Sequence, residues 1–163
     1  GGTRNMCVFV YSLSGSNRQP ESPEATGLEV DKWEPVADKN DCEKYRDQDK
    51  SATGGLMGDK GGLRFMVTDS WEAGAQNWTG NMMQEFQKRR GYSMLPWMPV
   101  LTGHIVKSAE ASEQFLFDYR HMLSDLVAEY HYDALTTILA EHGMKRYSES
   151  QEMCFALCAE GWE

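Results

Sequence analysis

Two short strand-like runs set the main constraint on this chain. One is Leu63-Arg64-Phe65-Met66-Val67-Thr68; the other runs from Met144 to Ser148. Between them the apolar residues recur at helical spacing: Phe115, Tyr119, Met122, Leu123, Leu126, Val127 and Tyr130 fall on one stripe that begins near Ser112. A further helix fits residues 133–141 and ends at His142-Gly143, with Gly as the stop. An earlier helix fits residues 79–90, with Thr79 as N-cap, Met82, Met83 and Phe86 as its apolar face, and Gly91 as its end. Pro96 and Pro99 then break the chain into a loop.

Strands separated by helices favour parallel pairing, because a parallel neighbour needs a long crossover. The expected fold class is therefore α/β, with parallel strands and crossover helices. Met6-Cys7-Val8-Phe9-Val10-Tyr11 reads as another buried strand. A complete (β/α)8 barrel needs about 250 residues. At 163 residues, barrel material of this kind is a partial TIM-barrel-like segment, read as one domain over residues 1–163. Residues 33–62 form a loop-rich insertion within it. They fit a solvated helix over 34–50, with Pro35 in its first turn, followed by a loop holding five glycines.

Composition removes several function classes. Hydrophobic residues make up 40% and charged residues 25%, enough for a packed core. Mean hydropathy is −0.59, and no apolar run approaches the roughly 18 residues of a membrane span. The net charge of −9 argues against a partner made of nucleic acid, whose binders carry a basic face. The basic cluster Lys88-Arg89-Arg90 sits where a helix C-terminus favours cations. Cys7, Cys42, Cys154 and Cys158 include no CxxC pair and read as buried free thiols. The start, Gly1-Gly2-Thr3-Arg4, shows neither an initiator Met nor the apolar core of a signal peptide.

Acidic residues stand at the ends of both strand runs. Asp69 and Glu72 follow Thr68, and Glu149 follows Ser148. In parallel α/β folds that edge carries the chemistry. Glycoside cleavage uses two carboxylates, one protonating the leaving oxygen and one assisting attack at the anomeric carbon. The aromatic rings of Trp71 and Trp78 can stack on sugar C–H faces, and they also suit a core. Asn77-Trp78-Thr79 matches a glycosylation sequon, and inside this stretch it reads as a chance match. His104 and His121 read as surface residues, and His142 as serving a helix end.

Five segments together carry a family resemblance. They are Pro23-Glu24-Ala25-Thr26-Gly27-Leu28-Glu29-Val30-Asp31-Lys32, Asp69-Ser70-Trp71-Glu72-Ala73-Gly74-Ala75-Gln76-Asn77-Trp78-Thr79, Arg90-Gly91-Tyr92, Leu101-Thr102-Gly103, and His142-Gly143-Met144 through Tyr147-Ser148-Glu149. In this order the chain resembles glycoside hydrolase family 106, the α-L-rhamnosidases. The resemblance implies a (β/α)-barrel, inversion at the anomeric carbon, and a carbohydrate substrate: rhamnose-containing glycans or glycosides. It makes Glu72 the general acid with Asp69 beside it, and gives Glu149, Trp71, Trp78, Glu29 and Asp31 to the sugar site. It also admits calcium, with Glu29, Asp31, Asp69 or Glu149 as oxygen ligands. Family members are often secreted or periplasmic.

The departures lie at the ends and in the middle. The family's general base belongs beyond the Tyr147-Ser148-Glu149 motif, and the tail of residues 151–163 does not resemble that continuation. Glu152, Glu160 and Glu163 have no motif behind them. Residues 33–62 also differ from the family pattern. A catalytically inactive fragment or a carbohydrate-binding remnant therefore stands as the alternative to an active enzyme.

Overall fold

A computed structural model describes residues 8–13, 15, 23, 26–58, 62–69 and 76–149, the side chain of residue 38 excepted. The fold is mixed α/β. It divides into two compact units, one made of Gly1–Ser14 with Gly80–Leu123 and one of Gly15–Thr79 with Ser124–Glu163.

The helices of the first unit are α2 (Met82–Arg90) and α3 (Ala109–Leu126), the latter running past the unit boundary at Leu123. Gly91 ends α2 at φ 80°, in the left-handed region that a glycine enters without cost. Buried Glu85 is paired, at 3.0 Å to Arg89 and 3.9 Å to Lys88, so these two members of the basic cluster serve their own helix. The expected proline-broken loop is a 3₁₀ segment, Leu95–Thr102, which tolerates Pro96 and Pro99 and ends at Gly103. Helix α3 starts earlier than the stripe indicates. Ser108 accepts the Ala111 amide at 3.1 Å, and the Ser112 hydroxyl accepts from Val106 N at 2.9 Å, so the cap lies ahead of the first apolar residue.

The core of this unit is aromatic. Phe86, Tyr92, Trp97, Phe115 and Tyr119 form a connected cluster with centroid separations of 4.9 to 6.4 Å. Asp118 ties it down: it accepts the Tyr92 hydroxyl at 2.9 Å, and its backbone carbonyl accepts Arg90 Nε at 3.1 Å. Burial holds the Tyr119 phenol un-ionised well above its usual range. Burial and then the Asp118 carboxylate do the same for Tyr92. An unfolded tyrosine ionises near pH ~10. The unfolded state therefore loses these protons first, and stability falls as pH rises past about 10. Urea unfolding on either side of that pH is expected to show the loss, and Tyr119→Phe to flatten it; an unchanged slope in that variant would reject the assignment.

Residues 8–11 depart from the expected strand. Val8 and Val10 are 78% and 91% exposed and belong to no ladder. A strand exists only with a hydrogen-bonded neighbour, and the ladder among the described residues is formed elsewhere.

In the second unit, Glu34 caps α1 (Pro35–Ala52) by accepting the Ala37 amide at 2.6 Å, and Pro35 occupies the first turn. This agrees with the solvated helix expected over 34–50. Strands β1 (Phe65–Thr68) and β2 (Lys145–Ser148) pair in parallel, with Phe65 opposite Lys145 and Thr68 opposite Ser148. The expected parallel pairing is thus present. A π-helical stretch, Val127–Asp133, leads into α4 (Ala134–Glu141), where the sequence suggests a break. Gly143, at φ 69°, turns the chain from α4 towards β2. Cys42, Leu135, Ile138, Leu139 and Met144 make the core, with Met57, Leu63 and Met66 packed against it. Cys42 is a buried free thiol, as expected; the other three cysteines lie outside the described residues. Among the described residues, no helix is long and apolar enough to cross a membrane.

Candidate active site

The site is built on the C-terminal edge of the β1–β2 pair. The last rung joins Glu149 N to Thr68 O at 3.2 Å. Asp69 and Glu149 therefore leave neighbouring strands at the same level, and both are exposed. Just beneath them the Thr68 and Ser148 hydroxyls are in hydrogen-bond contact. Arg146 supports Ser148 with a 2.5 Å bond to its Oγ. Its Nε donates to Thr136 Oγ at 3.1 Å, and its guanidinium lies 4.7 Å from the Tyr132 ring centroid. The floor of the edge is thus fixed to α4 and the π-helical stretch.

The Glu29–Lys32 segment forms a separate group of bonded residues. Glu29 Oε1 accepts Lys32 Nζ at 2.6 Å and Val30 N at 3.0 Å. Asp31 Oδ1 accepts Trp33 N at 2.9 Å and the side-chain amide of Gln76; Oδ2 accepts the Thr79 hydroxyl at 2.8 Å. Thr79 is buried. This corrects its expected role as the cap of α2: its hydroxyl is taken by Asp31, and α2 begins only at Met82 after Asn81, with no side-chain cap.

The structure brings Asp69 and Glu149 to one edge and joins Asp31 to the end of the Asp69-to-Thr79 signature. Trp78 is half-buried. Glu72 and Trp71 lie outside the described residues. Gln76, Thr79, Thr68, Ser148 and Arg146 were missed as contributors. Gln76 and Thr79 sat inside one quoted signature, and Arg146 and Ser148 inside the last; Thr68 had no signal beyond lying on a strand. Among the described residues, no three histidine, cysteine or acidic groups come together as a metal site.

The other signatures shape the chain. Arg90-Gly91-Tyr92 ends α2 and binds Asp118, and Gly103 closes the 3₁₀ segment. His142-Gly143 ends α4, and the His142 ring contacts the Arg46 guanidinium from α1.

The chain is similar to a rhamnosidase of known structure from Novosphingobium sp. PP1Y, with 43% identity and a TM-score of 0.78, over 83% of this chain and 13% of that one. It is 33% identical over 135 residues to a Formosa agariphila protein provisionally named a beta-glucuronidase, covering 83% of this chain and 11% of that protein. It therefore spans about an eighth of the length of the relatives it matches. The glycoside hydrolase 106 profile, described as alpha-L-rhamnosidase, matches residues 2–163, and the chain belongs to that family.

Proposed function

We propose that this chain is a segment of the catalytic barrel of an inverting α-L-rhamnosidase, bearing its general acid at Glu72. The observation that carries this reading is the common edge at which Asp69 and Glu149 leave the parallel strands, directly ahead of Glu72 in the chain. Proton delivery to the leaving oxygen requires Glu72 to be protonated before attack. Asp69 lies close to it in sequence, and a neighbouring negative charge favours the protonated form. Glu149 accepts a sugar hydroxyl, and Trp71 and Trp78 stack on the sugar face.

A barrel also accounts for the outer face of the strand pair. Met66 packs on the helix-side core, whereas Phe65, Val67 and Tyr147 are exposed. In a (β/α)8 barrel that opposite face fills the interior.

The general base comes from outside the signatures. A chain of 163 residues acting alone is then a non-catalytic piece, a second reading favoured by its small share of its relatives' length.

The test is a chimera in which this segment replaces its counterpart in the Novosphingobium rhamnosidase. The expected result is hydrolysis of α-L-rhamnosides, with the β-anomer of rhamnose formed first by NMR. A folded chimera without rhamnoside turnover, or one that retains configuration, overturns the proposal. Turnover by the 163-residue chain alone overturns the external base.

A further inference from the structure

We infer that Asp31 is a positioning residue: it clamps the end of the signature that carries Glu72, and does so without touching the sugar. Its carboxylate makes three side-chain-mediated bonds within the protein. Trp33 N and Gln76 donate to Oδ1, and Thr79 donates to Oδ2. These last two bonds reach across 45 and 48 residues of sequence. The backbone of Asp31 is also fixed, since its carbonyl accepts Glu34 N at 3.1 Å. The next anchor is Trp33, which is completely buried.

The other end of the signature is held independently. Asp69 follows Thr68, whose carbonyl takes the last rung from Glu149 N at 3.2 Å. The signature thus enters from a strand ladder and leaves through a carboxylate clamp, both within the second unit. Fixing both ends lowers the entropy cost of holding a catalytic group in a productive geometry. A charged acceptor suits this role because its hydrogen bonds are stronger than neutral ones. The catalytic meaning of the clamp rests on the reading of Glu72 as acid; the clamp itself does not.

Hydrogen exchange on the 163-residue chain tests the clamp. Asp31→Ala is expected to speed exchange about tenfold or more at Trp33 and over residues 76–79, the loss of bonds to a charged group. Residues 145–149 keep their wild-type rates. Thr79→Val reproduces the change at 76–79, Thr79→Ser restores wild-type rates, and Asp31→Ala with Thr79→Val is no faster there than Asp31→Ala alone. Equal acceleration at 145–149, no change at 76–79, or failure of Thr79→Ser to restore protection overturns the clamp. In the chimera, Asp31→Ala is expected to lower kcat with KM unchanged; a raised KM with unchanged kcat makes Asp31 a sugar ligand and overturns the proposal. Glu72→Gln without effect on turnover defeats the acid reading and leaves the exchange result standing.

Discussion

Glu72→Gln in the chimera lowers kcat by about 10²–10⁴ on rhamnosides with sugar or alkyl leaving groups, the range that general acid catalysis supplies. Glutamine keeps the size and polarity of the side chain and cannot release a proton to the departing oxygen. The size of the effect depends on that oxygen. A dinitrophenolate leaves as a stable anion and needs little protonation, so the same substitution costs far less on a dinitrophenyl rhamnoside. This contrast separates acid chemistry from structural damage, which would slow both substrates alike. The alkaline limb of the kcat/KM profile reports the acid, and is expected to disappear in the variant. Equal losses on both substrates would sink the assignment of Glu72.

The second large effect is on stability. Phe115→Ala is expected to destabilise the protein by about 3–5 kcal/mol, the usual cost of emptying a buried aromatic position. Phe115 is 1% exposed and sits between Phe86 at 5.5 Å, Trp97 at 5.9 Å and Tyr119 at 6.1 Å. Its loss removes apolar burial and three ring contacts together. Phe117, two positions along the same helix, is 60% exposed. Phe117→Ala should stay within about 0.5 kcal/mol of wild type. Urea unfolding of the two variants measures the difference. Similar midpoints would mean that the aromatic cluster is not a core.

These residues also show what could be read from the sequence. The α3 stripe was legible because helix geometry forces its apolar residues onto one side, and Phe115, Tyr119, Met122 and Leu123 are all buried. Gly91 and Gly143 were legible as stops because a left-handed turn depends on the local residue itself. Ser108 was passed over because capping depends on hydrogen bonds rather than apolar spacing. Thr79 was misread for a different reason: a good local cap was drawn away by a carboxylate far off in sequence. Residues 8–11 have strand character but no ladder among the described residues, and propensity alone does not supply a neighbour. For the site, the strand-end acids followed from element order. The bonds of Asp31 cross too much sequence for any local pattern to reveal them.

The β1–β2 pairing has a kinetic consequence. Its last register pair, Thr68 and Ser148, lies 80 residues apart in sequence. Contacts so distant form slowly, because the chain loses loop entropy before the pairing returns any stability. Local helices can form first on their own periodicity. The edge that brings Asp69 to Glu149 is then among the last features of the second unit to assemble, so recovery of the paired acids should lag recovery of helix during refolding.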